Sequence, residues 1–497
     1  MTPENTLMAE SSCPDELNHD SFSKDISEML GNRWGEVFHL GGLAGIPFTG
    51  NTGWGAFSHH VPDDGNIFVL FSPHVGLTED GTVGKVHRPG QSHSTSACGA
   101  SVGAYNFLKQ DDNAGWSEAN ANKNDYQMDY IKKSLDPYMK EILAIEDKNE
   151  RSAMLATKTY EIAKQFLLDI INDSWMGPNS KLVILGGIMI NVDGKGQDLF
   201  QPLMFEARHK DGSRVDYMGS MDAKILQQVP IDKLPAPVFK PQKTQAMPNF
   251  QAYSAQRHFK SSLPGSQIEQ IVYQTIASLG LTKENTVFAE SSCPDELNHD
   301  DYAEDITKLM ADRYGEVFPL GGLAGVPFTG KTGWGAFSHH VPDNGNIVVL
   351  FAPHVGITTD GVVGKVHRPG QSHQTSACGA SVGAYNFLKQ DDSSAEEERH
   401  LTSAVKHEHQ IQFIVDKLRP SMKSLNSLTN HNEVMTALAY ETYKIVNSQI
   451  DTIIDKAWMK AESKLVLIGG IMINVDGEAA DMFIPLRFEA VNFGGDK

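Results

Sequence analysis

Cysteine is scarce in this chain of 497 residues, because four cysteines are too few for the disulfide framework of a small extracellular protein. Basic residues are outnumbered, with 42 lysines and arginines against 62 aspartates and glutamates, and the formal net charge of −20 disfavours nucleic acid and anionic lipid as partners. No run approaches the roughly 18 to 20 apolar residues of a membrane span, and Met1 to Glu10 lacks the basic and apolar regions of a secretory signal. We therefore expect a soluble protein, and we interpret its start as a truncation.

The chain contains one unit written twice. Ala9–Gln110 aligns without a gap with Ala289–Gln390, and the shared blocks include ESSCPDELNHD, TGWGAFSHHVPD, VGKVHRPGQSH and TSACGASVGAYNFLKQDD. Further on, Lys181–Gly194 matches Lys464–Gly477. The segments between these blocks have diverged, so the blocks mark a retained core, a retained site or both.

We predict a first repeat at residues 1–225, a proline-rich linker at 226–262 and a second repeat at 263–497. Val229–Asn249 holds five prolines and few apolar clusters, which is typical of a semi-rigid linker. Helical spacing over Gln267–Leu279 precedes the second copy and has no counterpart in the first. Because fusion makes their association intramolecular, we expect the repeats to pack on each other as an internal pseudo-dimer, and a further homo-oligomer stays open.

Short apolar runs predict buried strands. Asn66–Phe71, Asn346–Phe351 and Lys181–Ile190 are rich in β-branched and aromatic residues, as are strands that are covered on both faces. Apolar residues recur at helical spacing from Met128 to Ile142 and from Leu155 to Ile170. Strands that alternate with helices predict an α/β domain around a largely parallel sheet with flanking helices, duplicated in tandem.

The four cysteines occupy equivalent positions of the two copies, Cys13 with Cys293 and Cys98 with Cys378. The two cysteines of one copy are far apart in sequence, so they form neither a zinc finger nor a CxxC motif, and only the fold can bring them together. Cys98 opens a turn of small residues into a predicted helix, whose positive end favours the thiolate form.

A histidine is the candidate third partner of each cysteine pair. His74 and His354 directly follow the predicted buried strands, at the carboxyl end where open α/β sheets bind ligands. Two thiolates and one imidazole would give zinc three protein ligands and leave the fourth tetrahedral position open, which is the pattern of catalytic zinc.

The motifs CPDELN, GGLAG, PHVG, HRPGQ and SACGA resemble the low-CO2-inducible family of algae and diatoms, which includes the theta-type carbonic anhydrases and is related in fold to the β-carbonic anhydrases. The resemblance covers both copies. It implies a β-carbonic-anhydrase-like domain that hydrates carbon dioxide reversibly to bicarbonate by a zinc-bound hydroxide, with one site in each repeat. It also implies a plastid-associated setting in a carbon-concentrating mechanism, although the sequence shows no targeting segment.

The resemblance also implies the residues of each site. The implied zinc ligands are Cys13, His74 and Cys98 in the first copy and Cys293, His354 and Cys378 in the second. Asp15 and Asp295 match the aspartate that orients the hydroxide in β-type enzymes.

The arginine that holds this aspartate is the point of departure from the β-type pattern. In β-type enzymes it lies two residues after the aspartate, where this chain has Leu17 and Leu297. We expect Arg88 and Arg368 of the HRPGQ motif to replace it. The alternatives are Arg33 and Arg313.

Several alternatives stay open at this stage. The imidazoles that could export protons are His59, His60, His87, His93 and their second-copy equivalents, and the sequence does not choose among them. His59–His60 and His339–His340 could instead supply a metal ligand, and if they lie on strands, at most one of each pair should reach the site. Structural roles remain for each candidate: the cysteines as small apolar residues, His74 as a core residue, Asp15 as a helix start and Arg88 as a surface ion pair.

Three functions compete with an active anhydrase. One is a protein that binds or senses carbon dioxide or bicarbonate with little turnover, and another is a thiol-redox or interaction protein with a Cys13–Cys98 disulfide. The third is nucleotide binding, because GVPFTGKT at residues 325–332 fits the phosphate-loop pattern. We reject the third, since the glycine-rich TGWGAFSHHVP predicts no helix directly after the loop, and the glycines favour tight turns beside the metal site.

Overall fold

The fold is taken from a computed structural model of the chain, which describes residues 1–18, 26, 30–31, 34, 37–110, 125–193, 198–221, 255–298, 306–315, 317–368, 370–391, 407–476 and 481–493. It has two compact units: the first is largely residues 1–241 and the second largely 242–497, with Phe48–Ala56 and Pro89–Gln91 grouped in the second. Most of the predicted linker lies outside the described residues. No helix in the described ranges is long and apolar enough to cross a membrane.

The first repeat is built on one mixed sheet with flanking helices. Its described strands are β1 (Thr6–Ser12), β2 (Val37–His39), β3 (Asn66–Ser72), β4 (His74–Leu77), β5 (Lys85–His87), β6 (Ser94–Ser96), β7 (Lys181–Val192), β8 (Leu199–His209) and β9 (Arg214–Asp216). Its described helices are α1 (Gly50–His59), α2 (Gly99–Gln110), α3 (Tyr126–Leu135), α4 (Met139–Leu143) and α5 (Lys148–Ile170). The strand order is β2-β1-β3-β7-β8-β9, and β4 also pairs with β7. Strands β1 to β4 and β7 run parallel, whereas β8 and β9 are antiparallel to their neighbours.

Both faces of this sheet are covered, which explains the unbroken apolar strands. On one face Phe71 of β3 stacks on Tyr160 of α5, with ring centroids 5.4 Å apart. On the other face Phe68 stacks on Trp34 at 6.0 Å. Every residue of β3 is buried, as the run Asn66–Phe71 predicts.

The second repeat has the same core architecture. Its described strands are β10 (Leu263–Pro264), β11 (Thr286–Ser291), β12 (Val317–Pro319), β13 (Asn346–Phe351), β14 (His354–Ile357), β15 (Lys365–His367), β16 (Gln374–Ser376), β17 (Lys464–Val475) and β18 (Met482–Asn492). Its described helices are α6 (Gly265–Ala277), α7 (Ile306–Tyr314), α8 (Gly330–Ser338), α9 (Gly379–Asp391), α10 (His409–Leu418), α11 (Met422–Asn426) and α12 (His431–Ile453). The strand order is β10-β18-β17-β13-β11-β12, with β14 on β17. Five of these strands and β14 match the first sheet, but the edge strand beside β18 is β10, which precedes β11 in the chain, whereas the first sheet has β9, which follows β8. The predicted class, an α/β domain duplicated in tandem, is confirmed.

Two helix predictions differ from the structure. The apolar pattern from Met128 to Ile142 is not one helix, because it breaks between α3 and α4 in a 3₁₀ turn that contains Pro137, whose ring nitrogen carries no hydrogen to donate. The expectation that no helix follows GVPFTGKT is wrong, since α8 begins at Gly330.

The GVPFTGKT loop is nevertheless closed to phosphate. A phosphate loop presents free amides to its ligand. Here the amides of Phe328, Thr329 and Gly330 donate to the carbonyls of Val326, Leu320 and Pro327, respectively. The loop from Val326 to Gly330 is buried, and Lys331 lies exposed beyond it.

Candidate metal centre

The three predicted ligands of the first repeat come from the ends of three elements. Cys13 follows the carboxyl end of β1, His74 begins β4 directly after β3, and Cys98 immediately precedes α2. Because β1 and β3 are parallel neighbours, their carboxyl ends meet at one edge of the sheet. The three side chains therefore converge there, and all three are buried.

The ligand atoms lie within coordinating distance of a single ion. Cys13 Sγ is 3.5 Å from Cys98 Sγ, and the two sulfurs and a ring nitrogen of His74 lie within 4.8 Å of one another. The Nδ1 atom of His74 is 2.7 Å from Asn191 Oδ1, so the amide oxygen accepts the Nδ1 hydrogen and leaves Nε2 with its lone pair. Among the described residues, that buried Nε2 has no hydrogen-bond partner.

The second repeat contains the same cluster. Cys293 Sγ and Cys378 Sγ are 3.6 Å apart, and His354 Nδ1 is 2.7 Å from Asn474 Oδ1. His354 Nε2 is likewise buried without a hydrogen-bond partner in the described part of the chain. All four cysteines are free thiols, so the structure contains no Cys13–Cys98 disulfide.

The charges within the first cluster are unequal. The hydrogen bond from Cys13 holds the pKa of the Cys98 thiol well below its usual value, against the opposing effect of burial. Burial and the neighbouring Cys98 raise the pKa of Cys13 well above its usual value. Burial alone would lower the pKa of His74, but the charges of Cys98 and Asp15 outweigh it and raise that pKa to about 9. Without metal, the cluster thus holds one thiolate beside a histidine that attracts a proton. A bound cation would take the place of that proton.

An aspartate and an arginine lie against each cluster. Both carboxylate oxygens of Asp15 accept hydrogen bonds from Arg88 Nη2, at 2.7 and 2.6 Å, and Asp15 Oδ2 is 3.7 Å from His74 Nε2. Arg88 also donates to Glu16 at 2.8 Å and to Thr95 at 2.9 Å, and it is 4% exposed. Arg88 is therefore a buried ion-pair residue and not a surface one.

In the second repeat the contact is a two-pronged fork. Arg368 Nη1 and Nη2 lie 3.1 and 2.9 Å from the two oxygens of Asp295. Of the alternative arginines, Arg313 instead pairs with Glu269 at 2.9 Å, and Arg33 lies outside the described residues. The structure therefore places Arg88 and Arg368, and not Arg313, beside the aspartates.

A glycine loop packs against the backbone of two ligand-bearing segments. At Gly41 an added Cβ would collide with the carbonyl oxygen of Ser12, and at Gly45 it would lie 2.6 Å from that of Ser72. Gly45 also has φ +71°, which glycine adopts without strain. Between them, the backbone of Ala44 hydrogen-bonds Cys13, which moderates the rise in the pKa of that thiol.

Sequence reasoning missed several contacts and misplaced one histidine pair. Asn191, Asn474, Glu16 and Glu296 were not predicted; their one signal was that each falls in a block that the copies share. His59 is the last residue of helix α1, so the premise that His59 and His60 lie on a strand is wrong.

This fold, with a cysteine–histidine–cysteine cluster at the carboxyl ends of parallel strands in each repeat, is that of a carbonic-anhydrase-like domain present twice. The model of the family described as limiting CO2-inducible proteins B/C beta carbonic anhydrases matches residues 1–209 and 262–492, and the chain belongs to that family.

Solved structures of related proteins match one repeat at a time. PtLCIB4, a homolog of the limiting CO2-inducible protein LCIB, is 27% identical over 49% of this chain and 97% of its own, with a TM-score of 0.44. A point mutant of PtLCIB4, in which alanine replaces a histidine, matches with 27% identity over 49% and 95%, and a TM-score of 0.43. LCIB itself is 19% identical over 47% and 92%, with a TM-score of 0.36. No protein of curated function matches the chain.

Proposed function

We propose that each repeat binds one zinc ion through its cysteine–histidine–cysteine cluster and catalyses the reversible hydration of carbon dioxide to bicarbonate. The observation that carries this proposal is the buried, partnerless Nε2 of His74, which lies beside two sulfurs and a carboxylate. A buried polar atom without a partner costs free energy unless a ligand satisfies it. The same arrangement at His354 supports a second site.

The donor set fits zinc. Thiolate sulfur and imidazole nitrogen are the ligands that zinc prefers, and three of them leave one tetrahedral position for a reacting water. The pairing of His74 with Asn191 is the outer-shell contact expected of a metal-binding histidine, because it fixes which nitrogen faces the ion. When bound, zinc would supply Lewis acidity that lowers the pKa of water towards about 7.

The remaining residues orient the reaction. Arg88 fixes the carboxylate of Asp15, since both of its oxygens accept hydrogen bonds from Arg88 and both side chains are buried. An ionised carboxylate accepts hydrogen bonds and donates none, so Asp15 would accept the hydrogen of the attacking oxygen and direct its lone pair at carbon dioxide. Asp295 and Arg368 would do the same in the second repeat.

The family supports the wider setting of this proposal. Membership of the limiting CO2-inducible family supports carbon dioxide and bicarbonate as the small-molecule substrates. It also supports a role in a carbon-concentrating mechanism, in the plastid of an alga or diatom.

The decisive experiment is stopped-flow hydration of carbon dioxide, with metal quantified on the same sample. Wild type is compared with Cys13→Ser, Cys293→Ser and the double variant. We expect about two zinc ions per chain, loss of one site's share of metal and turnover in each single variant, and loss of both in the double variant. Stoichiometric zinc without hydration would overturn the enzyme and leave a protein that binds or senses carbon dioxide or bicarbonate.

A further inference from the structure

One histidine in each repeat is bonded to a buried aspartate, and the residue after it is the arginine that holds the aspartate of the candidate centre. His87 Nδ1 lies 2.6 Å from Asp193 Oδ2, and the backbone amide of His87 donates to Asp193 Oδ1 at 2.7 Å. His367 and Asp476 repeat both contacts, at 2.5 and 2.7 Å. We call these the histidine–aspartate pairs. Neither pair includes a residue of the metal cluster or the Asp15–Arg88 contact.

The two members of each pair differ in exposure. The side chain of His87 is 58% exposed and that of Asp193 is 3% exposed; for His367 and Asp476 the values are 50% and 2%. A histidine that donates its Nδ1 hydrogen to a carboxylate keeps Nε2 free to accept and release a proton. Because the aspartate occupies the buried side of the ring, Nε2 is left to the solvent side. Asp80 also interacts electrostatically with His87.

The chain connects each pair to the metal centre in two ways. His87 is followed by Arg88, whose Nη2 bonds Asp15, and consecutive Cα atoms are about 3.8 Å apart. In addition, Asp193 directly follows the end of β7 and lies two residues after Asn191, the partner of His74. The pair is thus attached to both residues that hold the candidate centre in place, Arg88 and Asn191.

We propose that His87 and His367 carry to solvent the proton that hydration releases, and that Asp193 and Asp476 position them. The inference rests on the proposed hydration function. Carbon dioxide and water give bicarbonate and one proton, which passes through water to Nε2 and forms an imidazolium beside the aspartate. Nε2 then gives the proton to buffer, and the neutral ring is restored. In this scheme Asp193 fixes the tautomer and balances the charge of the ring.

Oxygen-18 exchange between carbon dioxide and water tests this inference, because it reports interconversion of carbon dioxide and bicarbonate separately from the proton-dependent release of labelled water. For His87→Ala plus His367→Ala we expect label release to fall on the order of 10²-fold, with interconversion falling far less. Imidazole buffer should restore label release. The matched control is His93→Ala plus His373→Ala, which removes the exposed histidines six residues further along each chain segment and should change neither quantity.

A second measurement does not depend on turnover. In metal-free protein with ¹⁵N-labelled histidine, NMR should show His87 and His367 as Nδ1–H tautomers, and Asp193→Asn plus Asp476→Asn should remove that preference. The same variant, with near-identical side-chain volume and unchanged zinc content, should slow label release and respond to imidazole.

The outcomes are separable. Absent interconversion in wild type would overturn the proposed hydration itself. Normal interconversion with unchanged label release in the His87 and His367 variant would overturn the proton-carrier inference alone. Loss of label release in the His93 and His373 control, with none in the variant, would transfer the role to those residues and equally overturn it.

Discussion

The Nδ1 atom of His74 lies 2.7 Å from the side-chain oxygen of Asn191, a residue 117 positions further along the chain. Because the amide oxygen accepts the Nδ1 hydrogen, Nε2 is the ring nitrogen that is left to bind a proton or a cation. The same contact exists between His354 and Asn474 at 2.7 Å. Strand β7 thus fixes the orientation of the candidate ligand His74 and contributes no candidate ligand itself.

Replacing Asn191 should weaken the first metal site only. In Asn191→Leu the Nδ1 hydrogen loses its acceptor, the tautomer is no longer fixed, and zinc affinity should fall about 10- to 100-fold. Competition with a chromophoric chelator measures the two sites of each chain. The second site, with Asn474 intact, is the control inside the same molecule, and equal weakening of both sites would contradict the local role of Asn191.

Replacing Arg88 should cost stability as well as turnover. In Arg88→Met the carboxylate of Asp15 stays buried without its partner, and the free energy of unfolding should fall by about 3–5 kcal/mol. Urea unfolding of zinc-free protein measures the change. Arg313→Met is the matched control, because the side chain of Arg313 is 41% exposed and such an ion pair contributes about 0–1 kcal/mol. Equal losses in the two variants would refute the burial argument.

Glu290 should make stability depend on pH. Burial raises the pKa of Glu290 to about 7, against the opposing hydrogen bonds from Ser292 and Thr307. The folded chain therefore holds this proton more tightly than the unfolded chain does. The resulting contribution of Glu290 to the free energy of unfolding is fully present below the unfolded pKa near 4.5 and is lost as pH rises through about 7.

The variant that reports this effect is Glu290→Gln, which cannot ionise. Its free energy of unfolding, relative to wild type, should rise between pH 5 and pH 8, by about 1.4 kcal/mol for each unit of pKa shift. Glu284→Gln, at an exposed carboxylate, is the control and should show no such trend. A flat difference between Glu290→Gln and wild type across this pH range would show that Glu290 is ionised in the fold.

Removal of metal should lower the thermal stability of the wild type. An ion that binds only the folded state stabilises it by about 4 kcal/mol when its free concentration is about 1,000 times Kd. Chelation should therefore shift the melting temperature of wild type downward. The variant Cys13→Ser plus Cys293→Ser should melt at the same temperature with and without chelator, and a matching shift in that variant would place the stabilising metal elsewhere.

Much of the site follows from sequence because its residues sit at ends of strands. His74 comes directly after an apolar run, and parallel strands bring their carboxyl ends together, so its approach to Cys13 was predictable. The sequence offered two arginines, Arg88 and Arg33, as the partner of Asp15, and no local pattern distinguishes them. Only packing decides that choice, by burying Arg88 and assigning Arg313 to Glu269.

Other features depended on contacts that no local pattern reports. Asn191 lies within an apolar strand. An asparagine there does not reveal from sequence that its side chain bonds His74. A helix begins at Gly330 although its sequence is rich in glycine, because intrinsic helix propensity is a weak guide once tertiary packing buries a segment. Pro137, by contrast, is a local signal of the break between α3 and α4, because proline cannot donate the hydrogen bond of a helix interior.

The glycine loop has a consequence for the spacing of the candidate ligands. At Gly41 and Gly45 the main chain of the loop contacts the carbonyls of Ser12 and Ser72, each within two residues of a proposed ligand, with no room for one further carbon. The spacing between Cys13 and His74 is therefore set by the thickness of bare backbone and not by the adjustable packing of side chains. A methyl group added at either glycine would have to displace the backbone of Ser12 or Ser72, and so would change the separation of Cys13 and His74.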